Sequence, residues 1–175
     1  MDFEVRLAAS VDEYKKIARF MEDTRPEWFS YEDSLDVLMA DLSTVWYMEK
    51  EGRICACVHI YNRFYNCPFV EINNIFYNDG CGFSVDRRLA PLLKEVHNWA
   101  LKNRQKFLMH VITSRSASIM GKKLGNIGEE LHNLKPTTGD GLSYWLEEGF
   151  EPIGIVQELY GELDHGIMLR KAVSS

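Results

Sequence analysis

"VEINNIFYNDGCGFSVDRRLAPLLKEV", residues 70–96, runs from an apolar strand through two glycines into an amphipathic helix. Many proteins build phosphate cradles this way, because the first N–H groups of a helix lack a helical partner and the helix dipole favours an anion there. Leu89, Leu92, Leu93, Val96, Trp99 and Ala100 repeat at three- and four-residue steps and make this helix the clearest element of the chain. Its start is expected near Asp86 to Leu89, which places Pro91 in or close to the first turn, where a missing N–H costs least. Neither Gly80 nor Gly82 then lies where the helix begins.

Working outward, "FEVRLA" (3–8) reads as a strand, and Ser10 with Glu13 forms a capping box that opens a helix burying Tyr14, Ile17, Ala18 and Met21. A second helix is expected over about Tyr31 to Leu42, burying Leu35, Leu38, Met39 and Leu42. "TVWYMEK" and "RICACVHIYNRF" are strands joined through Glu51-Gly52 as a tight hairpin, and "CPFVEINNIFYN" is a further strand. "KFLMHVIT" is another strand, Ser114 to Gly149 is mostly helical in pattern with "LKPTTGDG" as a loop, and "FEPIGIVQE" and "HGIMLRKAV" close the chain, linked by "LYGELD". This order predicts one α/β domain over residues 1–175, with a mixed sheet of about seven strands covered on both faces.

With 175 residues, 46% hydrophobic and 26% charged, the chain is long enough to bury a core as a single domain. The net charge of −6 disfavours a large phosphate-backbone partner despite Lys102, Arg104, Lys106, Lys122 and Lys123, and fits a small cationic or neutral substrate, so no nucleic acid is expected. No membrane-spanning run and no secretory signal are seen, which reads as cytoplasmic. Cys55, Cys57, Cys67 and Cys81 lack paired spacing and are expected reduced. Strand alternation puts Cys55, Cys57 and His59 on one face, but free cysteine is commonly a small buried hydrophobe, so no metal is expected. No nucleophile elbow, Walker loop, zinc spacing or Rossmann fingerprint is present.

In element order over nearly the whole chain the sequence resembles the GNAT superfamily of acyl-CoA N-acyltransferases. "EINNIFY" (71–77) is similar to that family's fourth strand, "LSYWLEEGFEPIG" to its fourth helix running through a Gly-Phe turn into strand six, and "GIMLRK" to its closing strand. The resemblance implies a mostly antiparallel central sheet, acetyl-CoA as co-substrate, and transfer of its acyl group to a primary amine on a small molecule or peptide. The pantetheine arm is then expected on backbone groups near Ile75, Phe76 and Tyr77, and pyrophosphate on the helix start Val85 to Ala90, with Arg87, Arg88, Leu89 and Ala90 in the cradle. The family's Gln/Arg-x-x-Gly-x-Gly/Ala pattern reads here Val85-x-x-Arg88-x-Ala90, so only the last position fits; Arg87 and Arg88 equally suit a solvated helix end.

Glu71, flanked by apolar residues in the fourth strand, is the candidate base, since partial burial is expected to raise its pKa toward neutrality. Amides near Ile75 to Tyr77 are candidates to polarise the thioester carbonyl. The family's acidic tyrosine falls on Trp145, with Tyr144 one step away as the candidate acid. A second register, "SRSASIMGKKLGN", places Ser114 in an asparagine slot facing the cofactor and Gly121 in the tyrosine slot, with residues 126–148 an added segment. An alternative on the same fold is a non-catalytic acyl-CoA-binding or regulatory module. The apolar "IVQELY" hairpin offers a homodimer contact, and nothing in the residues names the acceptor amine.

Overall fold

A computed structural model of the chain describes residues 3–61, 68–81, 85–137 and 141–174, with the backbone alone described at residues 79 and 85–88. It divides into two compact units, Met1–Gln105 and Lys106–Ser175. The described residues carry seven strands, and every strand pair described within a unit is antiparallel.

In the first unit β1 (Glu4–Leu7), β2 (Ser43–Lys50), β3 (Arg53–Tyr61) and β4 (Phe69–Tyr77) pair in sequence order. Glu51 and Gly52 turn β2 into β3 with φ of 51° and 79°, the left-handed pair that a two-residue hairpin of matching twist requires. Helices α1 (Val11–Thr24) and α2 (Tyr31–Met39) cover one face, where Ile17, Met21 and Leu38 pack with Val45, Tyr47, Cys57 and Phe76. Each such fully buried side chain contributes roughly 1.5–3 kcal/mol. Helix α3 (Val85–Lys102) packs against β2 and β3. Trp46 adjoins Tyr47 in β2, so it points to the opposite face, and it meets Trp99 of α3 edge-on at 6.1 Å. Helices therefore lie on both faces.

The second unit pairs β5 (Phe107–Thr113), β7 (Asp164–Ala172) and β6 (Glu151–Gly161) in the order β5-β7-β6. A 3-10 turn at Ser114–Ser116 and two short helices, α4 (Ile127–His132) and α5 (Leu142–Glu147), fill the connection before β6. Helix α5 ends in a Schellman closure: Phe150 N–H donates to the Trp145 carbonyl (2.9 Å), Gly149 N–H donates to that of Leu146 (3.0 Å), and Gly149 takes φ 83°.

Several expectations are corrected. Helix α2 stops at Met39, which is 51% exposed, and Leu42 lies beyond it with φ 74°. The described part of residues 114–149 holds only two six-residue helices and one 3-10 turn, separated by turns and irregular backbone, because side chains bond to backbone far along the chain, as Ser118 Oγ does in accepting from Lys135 N–H (3.1 Å). Helix α3 begins at Val85, so Pro91 sits in the second turn and residue 87 loses the amide that would have bonded its carbonyl. Strand β6 runs on through "LYG", leaving a turn at Glu162-Leu163, with its register against β7 broken between Val156 and Gly161.

The capping box forms as expected and reaches further. Glu13 Oε2 accepts from Ser10 Oγ (2.7 Å) and Ala9 N–H (3.0 Å), while Oε1 accepts from the Tyr47 hydroxyl (2.8 Å) and so ties α1 to β2. The bond from Ser10, then those from Ala9 and Tyr47, hold its carboxyl down at about 2, against an ordinary 4.5. A depressed carboxylate stabilises the fold fully above the unfolded pKa and loses that contribution as pH falls through the folded one. Glu13→Gln is therefore expected to lower stability at neutral pH by about 1 kcal/mol and to flatten the loss between pH 4.5 and 2 in thermal melts. An unchanged acid limb in the variant would contradict this role.

Candidate functional site

Strand β4 carries an irregularity that aims its side chains. Its register against β3 jumps between His59↔Asn74 and Ile60↔Ile72, so Asn73 is one residue too many. Asn73 and Asn74 consequently both turn toward His59, their amide nitrogens 3.5 and 3.4 Å from its Nδ1. The imidazole is held at its other end as well. Ser43 Oγ donates to the Val37 carbonyl (2.9 Å), so its contact with His59 Nε2 (2.5 Å) is one in which the ring N–H donates. Buried His59 thus bears its proton on Nε2 and accepts at Nδ1.

Past the bulge Glu71 is paired with Tyr61, on the face of Cys57 and His59 that α1 and α2 cover. An unbulged strand would have sent it to the α3 face. Glu71 is half-buried, as are Ile75 and Tyr77, while Phe76 is buried edge-on to Phe29 at 5.1 Å. Strand geometry turns successive N–H groups of Ile75, Phe76 and Tyr77 alternately toward and away from β3.

The strand leaves for α3 through Asn78, whose Oδ1 accepts from Gly80 N–H (2.8 Å) and whose carbonyl accepts from Cys81 N–H (3.2 Å). A Cβ on Gly80 would stand 3.1 Å from that Oδ1, so glycine here admits the asparagine side chain. Gly82 lies outside the described residues, as do the side chains of Val85, Arg87 and Arg88. The backbone is helical from Val85, which places the free N–H groups of a helix start at residues 85–88. Leu89 packs its side chain into the core and Ala90 is half-buried.

In the second unit Ser114 is fully buried. Its Oγ donates to Asp164 Oδ1 (3.2 Å) and accepts from His165 N–H (2.9 Å), and its own N–H also reaches Asp164 Oδ1 (3.3 Å). Arg115 Nε donates to Asp164 Oδ2 at 3.0 Å. His165 Nδ1 accepts from Glu158 N–H and its Nε2 donates to the Lys122 carbonyl (2.9 Å). Ser114 therefore fastens the end of β5 to β7. Tyr144 is buried at 4% exposure in a ring cluster with Trp145 (5.4 Å), which itself lies tilted against His110 (4.5 Å) and edge-on to Phe150 (4.8 Å). Ser116 Oγ accepts from Leu142 N–H (2.9 Å) and so holds α5 to the turn that carries Ser114.

Helix α5 runs directly through Gly149-Phe150 into β6, which matches the first register read from the sequence. The segment of the second register is helical only over the 3-10 turn Ser114–Ser116. The bulge and the role of His59 leave one signal in the sequence, paired asparagines inside an apolar strand, where asparagine is disfavoured. Burial pushes the thiols of Cys55 and Cys57 up to about 12, Cys55 being raised further by Cys81. Among the described residues no group of three or more His, Cys, Asp or Glu is placed to hold a metal, and no helix is long and apolar enough to cross a membrane.

Gly141 is the tightest joint in the second unit. It has φ 65°, and a Cβ there would overlap Ser116 Oγ and stand 2.8 Å from Ser116 Cβ. Gly141→Ala is expected to cost roughly 1–3 kcal/mol and lower Tm, whereas Gly125→Ala, with nothing within 4 Å, is expected to leave it nearly unchanged. Equal melting of the two variants would contradict the packing of α5 on Ser116.

No protein-family model matches the sequence, and no curated protein matches it significantly. Solved structures do match. The aminoglycoside 6'-N-acetyltransferase from Enterococcus faecium superposes with a TM-score of 0.84 at 8% identity, covering 100% of this chain and 98% of that one. An aminoglycoside 6'-N-acetyltransferase complexed with coenzyme A gives 0.84 at 7% identity over 100% and 98%. The ribosomal-protein-S18-alanine N-acetyltransferase from Escherichia coli gives 0.68 at 11% over 99% and 96%. A structure from Desulfovibrio desulfuricans assigned to the GNAT family gives 0.67 at 13% over 99% and 100%. This chain has the α/β fold of the GNAT acetyltransferases along its whole length.

Proposed function

We propose that the protein transfers an acetyl group from acetyl-CoA to a primary amine. The observation that carries this reading is the bulged fourth strand: it presents half-buried Glu71 on one face and is the strand that precedes the start of α3, whose first amides have no helical partner. The acetyltransferase fold of the full-length structural neighbours, one of them a coenzyme A complex, supports it.

On this reading the amides of residues 85–88 and the Arg87 and Arg88 side chains hold pyrophosphate, and the outward N–H groups among Ile75, Phe76 and Tyr77 hold the pantetheine and thioester oxygens. Glu71 takes a proton from the ammonium. The amine nitrogen bonds the thioester carbonyl carbon, and the tetrahedral oxyanion collapses with cleavage of the C–S bond, the nitrogen passing its second proton to the departing sulfur or to solvent. The departing group is a thiolate, the conjugate base of a weakly acidic thiol, and as a competent leaving group it needs little acid assistance. That matters here because Tyr144, the candidate acid, is enclosed in its ring cluster. Ser114 acts by fixing β5 and β7 in the second unit.

Calorimetric titration with acetyl-CoA, followed by an amine screen, tests the reading. Micromolar binding is expected, weakened in Arg87→Ala/Arg88→Ala. Glu71→Gln is expected to keep that binding while kcat falls about 10²–10⁴-fold. Binding with turnover indifferent to Glu71→Gln would favour a different base, and binding with no turnover on any amine would favour the non-catalytic alternative.

A further inference from the structure

Beside α1 the first unit holds a cavity of about 800 Å³ whose charge runs against that of the chain. Lys15, Lys16, Arg19 and Arg25 line it from α1 and its C-cap, and Arg53 lines it from the strand side of the β2–β3 turn; Asp23 is its sole acidic lining residue. Five cations against one carboxylate, in a protein of net charge −6, form a local field opposite to the molecule's own.

Four of these five cations lack an acidic partner among the described residues. Lys15, Lys16, Arg25 and Arg53 make no ion pair with any described carboxylate. Arg19 is different: it pairs with Glu22 (2.6 Å) and lies 4.6 Å over the Tyr31 ring, so it forms a fixed wall. Between the charges the lining is apolar and aromatic, with Phe20, Ile54, Tyr31 and Tyr77. A charged rim around such a floor suits a ligand with a compact polyanionic end and an apolar or planar body. The C-terminus of α1, where Arg25 caps the helix, is the negative end of the helix dipole and disfavours an anion, which leaves Lys15, Lys16 and Arg53 as the favoured anion contacts among the lining cations.

We propose that this cavity binds a small phosphate ester, with its phosphate or pyrophosphate group held by Lys15, Lys16 and Arg53 and its apolar part lying against Tyr31, Tyr77 and Phe20. Tyr77 and Asn78 of the lining end β4 and begin the passage to α3. The phosphate therefore has two sources: the phosphates of the acyl-CoA co-substrate proposed above, or a separate phosphorylated ligand. The site itself does not depend on acetyl transfer.

The test is calorimetric titration of the full chain with inorganic pyrophosphate at low ionic strength, for the wild type and for Lys16→Ala/Arg53→Ala. Both substituted side chains are exposed, and a thermal melt checks that the variant is folded. Wild-type binding is expected in the micromolar to millimolar range, weakened about tenfold in the variant and by added salt. Repeating the titration with coenzyme A saturating identifies the source: competition assigns the site to the co-substrate's phosphates, and unchanged binding assigns it to a separate ligand. Absence of binding up to on the order of 10 mM pyrophosphate, or equal binding by a folded variant, would overturn the proposal. Failure here with intact acetyl-CoA binding leaves acetyl transfer standing, and loss of acetyl-CoA binding with pyrophosphate still bound does the reverse.

Discussion

One extra residue in one strand determines what the first unit can do. In an antiparallel pair side chains alternate strictly, so the face that Glu71 occupies follows from the count of residues between it and Phe76. Phe76 belongs to the core beneath α1 and α2, and regular alternation would put Glu71 on the other side. Asn73 absorbs the difference. The distortion is held because His59, locked by Ser43 beneath α2, offers its Nδ1 to both asparagine amides. The buried imidazole thereby serves as a clamp on strand register, and the carboxylate three residues away takes its orientation from that clamp.

The same unit shows why parts of the fold were legible from residues alone. The hairpin at Glu51-Gly52 needs two left-handed residues in succession, and glycine at the second position announces it. Helix α3 was clear because its apolar period continues for nearly its full length, strongly enough to carry Pro91 in its second turn. The start of α1 was legible because Ser10 and Glu13 satisfy each other's local bonding with no help from elsewhere.

What was not legible depends on partners distant in sequence. Ser114 and Asp164 are bonded across fifty positions, and Ser116 holds Leu142 across twenty-six. The short range of the helical pieces in 114–149 is set by such partners, which local sequence does not reveal. The direction of Glu71 was hidden for the same reason, since the bulge is a relation between two strands and not a property of either. The cationic cavity is hidden in the sequence because Lys15 and Lys16 on an exposed helix face look like ordinary solvation until the fold brings Arg53, at the start of β3, into the same cavity lining.

The broken register of β6 bears on how the molecule behaves among its own copies. Strand β6 ends its unit's strand order and displays Ile153, Val156, Leu159 and Tyr160 to solvent, an array suited to recruiting another strand. Between Val156 and Gly161 the pairing with β7 lapses, and Glu158 takes φ 53° with its amide drawn back onto His165. A crooked edge offers an incoming chain no continuous row of donors and acceptors. Physically, the irregularity disfavours the addition of a regular strand along this edge and leaves its apolar side chains as the surface that any partner would meet.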